Sequence, residues 1–141
     1  MPDSHEIDRA VLALLRADAT LAGYAPDGIY FGSADSGAQY FVLISIIAAL
    51  DTAQFGRRAW DDVLYAIDAV MLTKPGGGND ADEAAARIDE LLDDQPLSVT
   101  GFDYMTMHRI NRIAEDERDE VNPAIVFYHR GGRYRVQMTP Q

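Results

Sequence analysis

The sequence predicts a single domain in which helices and β-strands share one core. Three observations carry this. The chain has 141 residues, 48% of them hydrophobic, which is the size and composition of one compact domain. Two segments, at about 4–17 and 81–93, repeat their apolar residues at helical intervals. Around them lie runs rich in aromatic and β-branched residues, punctuated by glycine and proline.

Charge and composition exclude several classes. The formal charge is −11, from 23 acidic and 12 basic residues. So negative a surface argues against a phosphate-neutralising face, which needs clustered Lys and Arg. Without cysteine there is no disulfide framework and no thiol nucleophile. The opening Met1-Pro2-Asp3-Ser4-His5-Glu6 has neither the basic nor the apolar region of a signal peptide. The longest apolar run, Tyr40–Leu50 with Ser45 inside it, is too short to span a bilayer. These features predict a soluble protein made in the cytoplasm, with no membrane partner.

The first helix, about 4–17, opens with Asp3 and Glu6 at capping-box spacing and continues with Ile7, Val11, Leu14 and Leu15 on one face. Residues 18–28 read as connection, with Gly23 and Pro26-Asp27-Gly28 as turn signals, and Ile29-Tyr30-Phe31 as a very short strand. Tyr40–Ala48 reads as a strand buried on both faces, broken from Ala49 onward. The run 61–72 fits either period. It is assigned as a strand because a β–β–α order gives each element something to bury against.

Lys74-Pro75-Gly76-Gly77-Gly78-Asn79 is the clearest break in the chain. No Gly-Lys-Ser/Thr follows the glycines, so a flexible loop is the reading rather than a phosphate loop. Asp80 and Glu83 repeat the capping-box spacing, and Ala84, Ile88, Leu91 and Leu92 form the stripe of the helix at about 81–93, stopped by Gln95-Pro96. Two acids at its C-terminal end, Asp93 and Asp94, oppose the helix dipole and predict fraying. The last third predicts strands at about 102–113, 124–129 and 133–139. Irregular alternation through 102–113 implies a bulge or a change of face, and the Gly131-Gly132 pair implies either a tight hairpin or one bent strand.

No catalytic chemistry emerges. The three histidines, His5, His108 and His129, lack ligand spacing, so no metal site is expected. The serines lack the Gly-x-Ser-x-Gly context of a nucleophile. Adjacent acids such as Asp61-Asp62 and Asp93-Asp94 read as solvated edges. Catalytic, cofactor and metal residues are therefore all expected to be absent. The conspicuous feature is a charged excursion, Glu115, Asp116, Glu117, Arg118, Asp119 and Glu120, flanked by Arg109, Arg112, Arg130, Arg133 and Arg135. These eleven residues are the candidates for a subunit interface or a lumen. The two groups either pair within one chain or meet across neighbouring copies in head-to-tail contacts; otherwise the excursion is a solvated loop.

Three segments carry a family resemblance: 58–70 (Arg58-Ala59-Trp60-Asp61-Asp62-Val63-Leu64-Tyr65-Ala66-Ile67-Asp68-Ala69-Val70), 84–93 (Ala84-Ala85-Ala86-Arg87-Ile88-Asp89-Glu90-Leu91-Leu92-Asp93) and 129–136 (His129-Arg130-Gly131-Gly132-Arg133-Tyr134-Arg135-Val136). From about Tyr40 onward the chain resembles the tail-terminator, or tail-completion, proteins of long-tailed bacteriophages. The matching motifs are apolar patterns with a few polar fixtures. The resemblance implies an α+β fold: a mainly antiparallel sheet of about four to five strands, with the N-terminal helix and a second helix at about 81–93 packed on it. It implies a virion structural protein, not an enzyme, needing no cofactor. Its partners would be further copies of itself in a ring, typically a hexamer, the tail-tube protein, and the head connector or another neck protein. Such a ring would sit in the tail–neck region, with DNA passing through an acidic lumen without specific binding. Alternatives are another neck component, such as a head-completion or connector-adaptor protein, an acidic protein-interaction domain, or a small hydrolase.

Overall fold

The computed structural model describes residues 5–54, 57–73, 78–122 and 124–141, with side chains except at 50–54 and 57–59. In chain order the elements are α1 (His5–Arg16), α2 (Ala19–Tyr24), β1 (Ile29–Phe31), β2 (Tyr40–Gln54), β3 (Arg57–Thr73), α3 (Asn79–Leu92), β4 (Phe102–Arg118) and β5 (Val126–Pro140). The strands form one sheet in the order β1-β2-β3-β5-β4. Every neighbouring pair is antiparallel except β1 and β2, which run parallel. This is an α+β fold with a mixed sheet and three helices.

The helices cover one face of the sheet. On β3 the positions 61, 63, 65, 67, 69 and 71 are buried, while 62, 64, 66 and 68 are only partly covered, as period-two alternation requires of a sheet with one packed face. That alternation decides the ambiguous 61–72 segment in favour of a strand. Ile7, Val11 and Leu15 of α1 join Ala81, Ala84, Ile88 and Leu92 of α3 in one core with Tyr65, Ile67, Tyr134, Val136 and Met138 of the sheet. Two tyrosines fasten the layers: the Tyr65 hydroxyl donates to Asp8 on α1, and the Tyr134 hydroxyl to Asp89 on α3 at 3.0 Å. Burial beside these carboxylates pushes both phenols above their ordinary pKa, so they remain neutral donors.

Several sequence expectations change. Residues 18–28 are more than connection, because the Asp18 side chain accepts from the Leu21 N–H at 2.8 Å and caps α2. The same carboxylate takes both Arg87 Nε and Nη2, at 2.9 and 2.6 Å, which ties α2 to α3. The strand expected to stop at Ala48 continues to Gln54, carried through a register shift beside Ile47 by its pairing with β3. Only Val42 and Ile44 of its central residues are fully buried, so it is packed on one face rather than two. For α3 the N-cap is Gly78, with no side-chain cap, and Asp80 lies in the first turn. At its other end the Asp93 carboxylate accepts from the Arg109 N–H at 2.8 Å, and the backbone N–H of Asp94 donates to the Met107 carbonyl at 2.8 Å.

The last third differs most. The separate strands expected at 124–129 and 133–139 are one strand, β5, because Gly131 and Gly132 let it pass close to both neighbours without turning. The strand expected at 102–113 runs on to Arg118 and carries register shifts at Met105 and Ile110, where irregular alternation implied a bulge. The residues Asp3 and Ser4 of the expected first cap and helix start, residues 74–77 of the glycine loop, and Pro123 lie outside the described residues. Within those described, no helix is long and apolar enough to cross a membrane.

Candidate interaction surface

Four residues of the charged excursion, Glu115 to Arg118, belong to β4 rather than to a projecting loop, in register with His129, Tyr128, Phe127 and Val126 of β5. An edge strand tolerates such density because one side of its backbone and most of its side chains face water. Only Asp119 and Glu120 lie beyond the strand. There the Asp119 side chain accepts from the N–H groups of Val121 and Asn122, at 2.8 and 3.1 Å, and organises the turn.

The flanking arginines separate into two groups. Arg130 is taken up within the chain: its Nε donates to Asp82 on α3 at 3.0 Å, and its Nη1 lies 2.7 Å from Asp116 and 3.0 Å from the Glu115 carbonyl oxygen. Its guanidinium also stands 5.4 Å from the centre of the Tyr128 ring. Arg135 forms a two-pronged pair with Asp62 of β3, which Gln137 also contacts at 3.3 Å. That contact holds the Asp62 carboxyl below the ordinary carboxylate range. Arg109 lies 3.5 Å from Asp89. By contrast, Arg112 and Arg133 are exposed and have no side-chain partner among the described residues. Sequence reasoning grouped all five together because partners on α3 and β3 are far away along the chain.

His129 is the other organised group. Its Nδ1 is 3.1 Å from Asp68 on β3, and its Nε2 is 3.4 Å from Glu117 on β4. The hydrogen bond with Asp68 raises its pKa, against the opposing effect of burial. The adjacent acids Asp61 and Asp62, expected as a solvated edge, are withdrawn from solvent: strand alternation buries Asp61 on the helix-bearing face and places Asp62, 11% exposed, on the opposite face with Arg135. Among the described residues, no group of three or more His, Asp or Glu side chains is placed to hold a metal ion.

The face of the sheet away from the helices carries a shallow hollow of about 300 Å³, lined by Ala48, Asp62, Leu64, Ile110 and Arg135. Large apolar side chains stand in solvent at Ile46, Ile47, Met105 and Ile110, 42–56% exposed, and at Val121 in the β4–β5 turn. Charge patterning overlooked these residues. Their signal is the break in strand alternation, since Ile47, Met105 and Ile110 each stand where the pairing register shifts.

No family model matches the sequence, and no curated protein matches it. Solved structures match its fold. One is a chain of the "Virion of native gene transfer agent (GTA) particle", 20% identical, covering 93% of this chain and 94% of that one, with a TM-score of 0.64. Another is 15% identical over 100% of both chains, with a TM-score of 0.59. At these identities the likeness is one of fold.

Proposed function

We propose that this chain is a virion structural protein, a tail terminator that forms a ring on the head-proximal end of a phage-type tail tube. The ring stops tube growth and presents the surface to which the head joins. The observation that carries the reading is the fold shared, over nearly the whole length of both chains, with a component of a gene transfer agent virion. It agrees with the resemblance of segments 58–70, 84–93 and 129–136 to tail-terminator proteins. The role is one of assembly rather than catalysis, and its place is the tail–neck region of the particle. Its partners are further copies of the chain, the tail-tube protein and the head connector.

The charge supports the same reading. A ring of chains each carrying −11 repels DNA phosphates, so the genome passes through the lumen without specific binding. Among the eleven candidates, Arg112 and Arg133 are the cations left for a partner, and Glu115, Glu117 and Glu120 are exposed acids suited to a lumen or a neighbour. The test is to add purified protein to polymerising tail-tube subunits and image the products. Short tubes, each with a ring at one end, are expected; tubes that lengthen as they do without the protein would overturn the proposal.

A further inference from the structure

Both edges of the sheet carry exposed apolar side chains. On β2, the outer side is covered by β1 only over Val42–Ile44. Beyond that point stand Ile46, 43% exposed, and Ile47, 48% exposed. At the other edge β4 has β5 as its strand neighbour; its outer side is met at Met107 and Arg109 by Asp94 and Asp93, and flanking that contact stand Met105, 42% exposed, and Ile110, 56% exposed. Edge strands are ordinarily protected by charges, prolines or bulges that turn side chains away. Here the bulge positions themselves, Ile47, Met105 and Ile110, present large apolar groups to water.

The two edges also differ in charge. In a chain of −11, residues 104–114 of β4 contain no Asp or Glu; of their cations, His108 and Arg109 lie 3.7 and 3.5 Å from Asp93 and Asp89, which leaves Arg112. Residues 19–54, which hold β1, the loop after it and β2, contain no Lys or Arg and carry Asp27, Asp35 and Asp51, with Arg16 of α1 donating to the Ile29 carbonyl oxygen of β1 at 2.8 Å. Copies this acidic repel one another in general, so an apolar contact between them needs local charge complementarity. Arg112, exposed and without a partner among the described residues, lies two positions from Ile110.

From these observations we infer that the β4 edge around Ile110–Arg112 of one copy docks on the β1–β2 edge around Ile46–Ile47 of the next. The contact joins two different patches on opposite sides of one sheet. It is therefore heterologous, and it closes into a ring when the rotation per copy fits. The inference rests on the ring reading above and names the surfaces that build the ring.

The test uses the full-length chain. Ile47→Asp and Ile110→Asp are each expected to lower the solution mass from that of the wild-type oligomer to that of a monomer. Mixing the two variants in equal amounts should give a 1:1 dimer, because each keeps the edge that the other has lost. Should either aspartate disturb folding, as judged by circular dichroism, a double Ile47→Cys, Ile110→Cys variant gives an independent readout. The protein has no cysteine of its own, and the two positions lie three strand spacings apart, roughly 14 Å, too far for a disulfide within one chain. Oxidation is then expected to give a ladder of linked copies. An oligomeric wild type with both aspartate variants unchanged in mass, a variant mixture that stays monomeric, or no ladder would overturn the assignment of these edges and leave the ring reading standing. A wild type that is monomeric in solution would overturn it too, whereas the ring reading falls only if the chain also fails to halt tube growth.

Discussion

Gly131 of β5 lies so close to Ile67 of β3 that a Cβ at 131 would stand 1.9 Å from the Ile67 carbonyl oxygen and 2.6 Å from the Asp68 Cα. Backbone cannot retreat as a flexible side chain can. Gly131→Ala is therefore expected to destabilise the fold by about 3 kcal/mol or more, at the upper end of single-substitution effects, where backbone strain is one of the causes. At Gly132 the nearest atoms belong to the Arg109 side chain, at 2.7 Å, with the Asn111 carbonyl oxygen at 3.0 Å. Gly132→Ala should cost less, because Arg109 can swing aside. Urea unfolding midpoints of the two variants check the order.

The stripe of α3 offers a comparison between adjacent leucines. Leu92 is fully buried, whereas Leu91 is only partly covered at the rim of the core. Leu92→Ala should cost about 2–5 kcal/mol, as buried large-to-small changes do, and Leu91→Ala clearly less. The same urea titrations decide it, and equal losses would mean that α3 is rotated about its axis relative to the arrangement described.

His129 predicts a pH dependence. Its pKa is raised from 6.5 in the folded state, chiefly by the hydrogen bond with Asp68. A raised pKa means that the protonated ring is favoured on folding. Its contribution is fully present below the unfolded value and is lost as pH rises through the folded one. His129→Gln should therefore destabilise more at about pH 5.5 than at about pH 9. Parallel unfolding series at the two pH values measure this, and a loss independent of pH would contradict it.

Asp62 gives the opposite sign. Its carboxyl is depressed below 3.8 by the Arg135 contact, so its contribution is present above that value and is lost as pH falls through the folded one. Arg135→Ala leaves the Asp62 side chain, 11% exposed, without its two-pronged partner. A loss of about 1–3 kcal/mol at neutral pH is expected, shrinking in acid as Asp62 takes up a proton. Arg135→Lys should recover only part of it, because an ammonium cannot supply the planar fork. Thermal unfolding of both variants across the acid range tests the sign.

How far the sequence determined this molecule follows from the range over which each force acts. Local periodicity was enough for α1 and α3, and runs rich in aromatic and β-branched residues for strand character at 40–48 and 102–113. Spacing along ten or fifteen residues records which face meets a core. Composition alone excluded disulfides and disfavoured a phosphate-binding face. The family resemblance supplied the α+β sheet that the fold displays. Short-range signals failed where a neighbouring strand or helix decides the outcome. Asp18 looks like loop until Arg87 arrives from α3. Gly131-Gly132 looks like a turn until β3 and β4 pass on either side. Glu115–Arg118 looks like a solvated excursion until β5 supplies hydrogen bonds along its length. The arginines show the same division most clearly. Their number and clustering are properties of the chain, but only the packed sheet separates Arg130 and Arg135, held by acids up to 73 residues away, from Arg112, which the tertiary structure leaves exposed at an edge.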